Sequence, residues 1–190
     1  VRPAELIVVN GSGQVCRGEG RVSAEMPLHG AIVQATAAGA VLHTHSQAAT
    51  LLSRQALLAG EGIAPVPASV AAAPSTDPAD HNTDPGSTHP PLCHLRIEGL
   101  EMLKGLEGIH THQSSIRIPV LANDQDLIRL SALATPHLPG APHGILIAGH
   151  GLYAWGRSLA VARRHLEILE FLLEQHWRQQ MWTAIQASPH

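Results

Sequence analysis

The run Gly39-Ala40-Val41-Leu42-His43-Thr44-His45-Ser46 constrains the fold of this chain more than any other segment. Gly39 to Leu42 read as a short buried strand, and Ser46 is placed to cap a helix over Gln47 to Leu58. A strand that turns at once into a helix is the recurring joint of α/β proteins, whose open sheets keep their ligands at such joints. Strand side chains alternate between faces, so His43 and His45 offer two imidazoles on one side. One joint thus predicts both a fold class and a place for chemistry.

A third imidazole from a second strand end would complete an open catalytic zinc site, leaving one position for water or substrate. His150 is the candidate, at the end of the apolar run Gly144-Ile145-Leu146-Ile147-Ala148-Gly149-His150-Gly151. Its flanking glycines let backbone or ligand approach closely; the competing view is a turn histidine that merely follows a strand. Caution is needed because the chain has 14 histidines. The second His-Thr-His, His110-Thr111-His112, sits in a polar connection and reads as surface. His29, on the helix after Pro27, reads as a packed or supporting histidine. His94, His143 and His165 have no partner at ligand spacing.

The remaining segments alternate between strand and helix patterns. Leu6 to Val9, the Asn10-Gly11 turn and Gln14 to Cys16 predict a hairpin. Pro27 suits the first turn of a helix with a stripe at Leu28, Ala31, Ile32, Ala35 and Ala38. Leu95 to Glu98 predicts a strand, and Glu101 to Leu106 a short helix. Ile116 to Leu121 is a further strand, which Pro119 assigns to an edge or an end. Asp124 is placed to cap a helix reaching Ala134. Leu152 to Trp155 follows the Gly144–Ala148 strand across a hairpin turn. A final helix over Ser158 to Trp182 carries a stripe at Ala162, Leu166, Leu169, Leu173, Trp177 and Met181. Ile168, Phe171 and Leu172 widen it, as a neighbouring subunit would require.

These elements predict one mixed α/β domain over 1–190, with a Pro-rich insertion at about 64–91. That stretch contains seven of the 14 prolines and is expected to be a surface insertion. An apolar strand at the very start leads to the expectation that an N-terminal portion is missing. The net charge of −3 and 14% charged residues offer no basic patch, which argues against nucleic acid. No apolar run has the length of a membrane span. Cys16 and Cys93 form no Cys-x-x-Cys pair or disulfide framework. A cytoplasmic domain is expected.

A zinc-bound carbonyl needs a neighbouring acid or base to move a proton. Glu25 precedes a helix, where a first-turn acid also favours the dipole. Glu101 opens a short helix, where it could equally be an exposed surface acid. Spacing does not choose between them.

Four segments together carry a resemblance. They are Ala40 to Ser46, Arg96 to Leu106, Asn123 to Asp126, and Ile147 to Gly156, the last reading Ile-Ala-Gly-His-Gly-Leu-Tyr-Ala-Trp-Gly. From about Leu6 to Trp177, the insertion excepted, the chain resembles the class II aldolase/adducin-like family, in its methylthioribulose-1-phosphate dehydratase branch. The resemblance implies a mixed central sheet flanked by helices, and Zn2+ held by His43, His45 and His150. It implies Glu101 as catalytic acid/base, with Glu25 as second candidate. Ser23 matches the family's Ser-Ala-Glu and is a candidate for substrate contact. The implied activity is zinc-dependent dehydration of a phosphorylated ketose, methylthioribulose 1-phosphate, to a diketo-methylthiopentyl phosphate in methionine salvage, by a homotetramer. The alternatives are a truncated, non-catalytic adducin-like module and a sugar-phosphate aldolase of the same family.

Overall fold

In a computed structural model, the described residues are 2, 5–59 and 92–187; the expected insertion at 64–91 falls outside them. The chain opens with a small antiparallel ribbon, β1 (Val8–Val9) and β2 (Val15–Arg17). Asn10 shapes its turn by accepting the backbone N–H groups of Ser12 and Gln14 on one side-chain oxygen. This is the expected hairpin.

Helix α1 (Met26–Thr36) follows, with Pro27 in its first turn and Leu28 and Ile32 buried. It stops at Ala37, whose φ of 53° is left-handed, so Ala38 continues the buried stripe from outside the helix. Strand β3 (Ala40–Thr44) then leads into α2 (Gln47–Ala59). Ser46 caps α2 as expected, its Oγ accepting the Ala49 N–H at 3.0 Å.

The rest of the domain comprises β4 (Leu92–Glu98), a 3-10 turn over Glu101–Gly105, β5 (Ser115–Leu121), α3 (Leu127–Ala134), β6 (Gly144–Ile147), β7 (Gly151–Gly156) and α4 (Leu159–Ala187). Five strands form one sheet in the order β3-β7-β6-β5-β4. Among the pairs of this sheet, β5 and β6 run parallel and the others antiparallel.

Both faces of this sheet are covered, which explains why its central strands are apolar throughout. Leu146, Leu152 and Ala154 face α2 and α4. Their neighbours Ile145, Ile147, Tyr153 and Trp155 face α1 and α3. Each wholly buried Leu or Ile contributes about 1.5–3 kcal/mol relative to exposure. The rigid platform so formed presents the ends of β3, β6 and β7 side by side.

Three expectations change. Pro119 lies not at an edge but on β5, between β4 and β6. The pairing with β6 begins only at Val120, so the missing proline N–H falls outside that ladder. The cap of α3 is Asp126, which accepts the Ile128 and Arg129 N–H groups, whereas Asp124 binds the Arg129 guanidinium. Along α4, the Ala162, Leu169 and Leu173 part of the stripe is buried with Ile168 and Leu172. Met181 of the stripe is exposed instead.

Candidate metal centre

The register of β3 and β7 sets His43 opposite Tyr153. Their rings stack with centroids 3.8 Å apart. His43 Nδ1 lies 2.8 Å from the Leu152 carbonyl oxygen. A carbonyl only accepts, so Nδ1 carries the proton and Nε2 presents a bare lone pair. Hydrogen-bonding one ring nitrogen to a backbone carbonyl is how proteins fix the tautomer and orientation of a metal-binding histidine.

Three Nε2 atoms converge. His43 and His45 are 2.7 Å apart, His45 and His150 3.1 Å, and His43 and His150 3.3 Å. Nitrogens bound at the usual zinc distance in a tetrahedral site are separated by about 3.3 Å. The triangle is therefore that of a ligand set drawn slightly inward. Glu25 closes it: its Oε1 lies 3.0 Å from His150 Nε2 and its Oε2 3.4 Å from His43 Nε2. One carboxylate oxygen and three imidazole nitrogens make a group able to hold a metal ion.

Each histidine of the group has a local reason for its position. Thr44, between the two histidines, points to the opposite face, where its hydroxyl binds the Glu170 carboxylate on α4. His150 follows Gly149, whose φ of 69° makes the sharp turn out of β6. At Gly151, a Cβ would stand 2.1 Å from the Thr44 carbonyl oxygen, so only glycine lets β7 approach β3 this closely. Buried Ser53 of α2 holds the same turn by accepting the Gly149 N–H at 3.2 Å. Nothing in the sequence singled out Ser53 or Thr44.

Glu25 occupies the residue before α1 but makes no cap hydrogen bond there; its carboxylate turns to the histidines. Ser23 supports that turn by accepting the Glu25 N–H at 3.2 Å. His29, one turn into α1, packs edge-on against Tyr153 at 5.3 Å and against His43 at 6.4 Å. Burial holds both His29 and His43 below the ordinary imidazole pKa, favouring the neutral form a metal requires. Burial also pushes the Tyr153 phenol up, with the Glu25 charge adding to it.

Glu101 stands elsewhere. It follows β4, the edge strand farthest from β3, and is exposed among Lys104 and His112. The Lys104 ammonium holds its carboxyl below the usual range. Within one chain, Glu101 does not join the histidine group. His110 and His112 are likewise exposed and outside it.

A covered five-stranded mixed sheet, with three histidines and a glutamate gathered where β3 and β6 end and β7 begins, defines the class II aldolase type of architecture. The chain belongs to that family: the profile described as "Class II Aldolase and Adducin N-terminal domain" matches residues 1–177. It is 38% identical over 175 residues to a protein named methylthioribulose-1-phosphate dehydratase from Granulibacter bethesdensis, covering 91% of this chain and 68% of that one. It is 39% identical over 171 residues to one of the same name from Xanthomonas campestris pv. campestris, covering 89% and 64%. The chain thus spans about two thirds of the length of these relatives.

Among solved structures, an L-fuculose 1-phosphate aldolase superposes with a TM-score of 0.63 at 16% identity, covering all of this chain and 67% of that one. The L-fuculose-1-phosphate aldolase of Thermus thermophilus gives 0.63 at 20% identity, with 100% and 75% covered. The family and fold expected from the sequence are those found.

Proposed function

We propose that this domain is the metal-binding core of a dehydratase acting on methylthioribulose 1-phosphate, in the cytoplasmic methionine salvage pathway. The observation that carries this reading is the convergence of His43, His45 and His150 Nε2 beside the Glu25 carboxylate. The shared name of the relatives at 38–39% identity supports the substrate.

His43, His45 and His150 would hold the Zn2+, which would supply Lewis-acid polarisation of the substrate ketone. The proton chemistry belongs to the chain. The C–H bond beside the ketone breaks as its proton passes to a carboxylate. The hydroxyl on the next carbon leaves with a proton as water, and the resulting enol relaxes to the diketone. No oxidant or reductant is consumed.

Two carboxylates compete for that proton. Glu25 is within reach of the ligand nitrogens in one chain, as a fourth ligand or as the base. Glu101 could serve only if a second copy brought it to the histidines, as in the proposed homotetramer. Exposed Phe171, Trp182 and Ile185 on α4 support such an assembly. Ser23 is the proposed substrate contact at the rim.

The test is an assay of water loss from methylthioribulose 1-phosphate, alongside a carbon–carbon cleavage assay, with wild type, Glu25→Gln and Glu101→Gln. Dehydration that falls about 10²-fold or more in one variant names the base. Cleavage without dehydration would favour the sugar-phosphate aldolase reading, and neither activity a non-catalytic module. If only Glu101→Gln fails, mixing it with a metal-site variant restores activity where the site is shared between copies.

A further inference from the structure

At the far end of β7 from His43, a second group of metal-ligand residues comes together. Glu107, His143 and His165 each bring a ligand atom within 4.8 Å of the others. Their sequence positions show no ligand spacing; Trp155 of β7 joins the two histidines, and Arg157, next after β7, holds Glu107. The Trp155 N–H donates to the His143 carbonyl, and the Trp155 carbonyl accepts from His165 Nδ1 at 2.8 Å.

His165 repeats the arrangement of His43. In both, Nδ1 donates to a β7 carbonyl, Leu152 or Trp155, so Nε2 carries the lone pair. His165 is 0% exposed, and its Nε2 has no hydrogen-bond partner. Leaving a buried acceptor unsatisfied is costly, and such an atom calls for a ligand.

The atom faces an oriented carboxylate. Glu107 Oε2 lies 3.9 Å from His165 Nε2, while its Oε1 is held by Arg157 at 2.9 Å. The His143 ring stacks on His165 with centroids 4.0 Å apart and is half-buried. A cavity of about 390 Å³, lined by Glu107, His143, Trp155 and Arg157, opens beside the group. Ring planes only 21° from parallel do not aim two lone pairs at one point, so His143 must swing about its side-chain torsions to bind. Its position on the cavity wall leaves room for that movement.

We infer that Glu107, His143 and His165 form a second divalent transition-metal site, distinct from the His43–His45–His150 centre, with open coordination toward the cavity. Two imidazoles and a carboxylate suit Zn2+ or Co2+ over Mg2+ or Ca2+.

Titration of metal-free protein with Co2+, followed by visible absorption and by equilibrium dialysis, tests this directly. Two bound equivalents per chain are expected. His143→Ala, Glu107→Gln and His165→Gln should each remove one equivalent and leave the other. His43→Ala should remove the complementary one, and His110→Ala/His112→Ala neither. The His143 and Glu107 changes lie at partly exposed side chains, so folding, checked by circular dichroism, is expected to survive even where His165→Gln disrupts the core. A single equivalent, lost in His43→Ala and unchanged in His143→Ala and Glu107→Gln, would overturn the second site. A single equivalent, lost in His143→Ala and Glu107→Gln and unchanged in His43→Ala, would uphold this site and count against the His43 centre instead.

Discussion

Tyr153 stacks on His43 with ring planes only 16° from parallel. The phenol is wholly buried, so the ring is wall and support of the candidate metal centre at once. Tyr153→Phe preserves the stack and is expected to keep the bound metal. Tyr153→Ala opens a cavity under His43 and should cost about 3–5 kcal/mol, as large aromatic truncations do. Denaturant unfolding of the two variants checks this, and equal stability would refute the support role.

Gly151 is a point of close approach between β7 and β3. A Cβ there would meet the Thr44 carbonyl oxygen at 2.1 Å and His43 Cε1 at 3.2 Å. Gly151→Ala must push β3 away, a form of overpacking that costs about 1–3 kcal/mol. It should also weaken metal binding, because the displaced strand carries His43 and His45. Metal affinity measured beside thermal stability separates this from a purely local clash, which would lower stability alone.

Acid should destabilise the protein through histidines outside both proposed metal groups. Burial holds His94 and His137 below the ordinary value of 6.5, with Arg117 and His137 adding to the effect at His94. The unfolded chain takes up these protons near 6.5 while the native state resists them. Stability is therefore full above that pH and declines as pH falls toward the lower native values. The melting temperature between pH 7.5 and 5.5 measures the slope. A His94→Asn/His137→Asn variant is expected to flatten it, and an unchanged slope would contradict the assignment.

Helix α3 discriminates two aspartates. Asp126 accepts two backbone N–H groups at the helix start, at 3.0 and 3.1 Å. Asp126→Ala should cost about 0.5–2 kcal/mol. The Asp124 carboxylate is half-buried and pairs with the exposed guanidinium of Arg129, a contact worth about 1 kcal/mol or less. Chemical denaturation of the two alanine variants orders them, and a larger loss at Asp124 would reverse the capping assignment.

These sites differ in how far the sequence announced them. His43, His45 and His150 were legible because strand period and flanking glycines are local signals, and two strand ends are enough to join them. Glu25 was visible only as one of two acids, since its approach to the histidines depends on where α1 docks. Glu101 drew attention through the family resemblance, yet in one chain it pairs with Lys104 and His112. Pro119 misled because a proline between strands is tolerated where the neighbouring ladder starts one residue later. His143 and His165 carried no signal, for their contact runs through the backbone of Trp155. Periodicity reports faces and ends of elements; it does not report which loops fold over them.

Metal analysis of the purified protein beside His43→Ala and His150→Ala tests the proposed metal centre most directly. Zinc in wild type, with one equivalent per chain lost in each variant while circular dichroism stays unchanged, is the expected result. Equal zinc content in all three proteins would contradict the proposal that these histidines hold the ion.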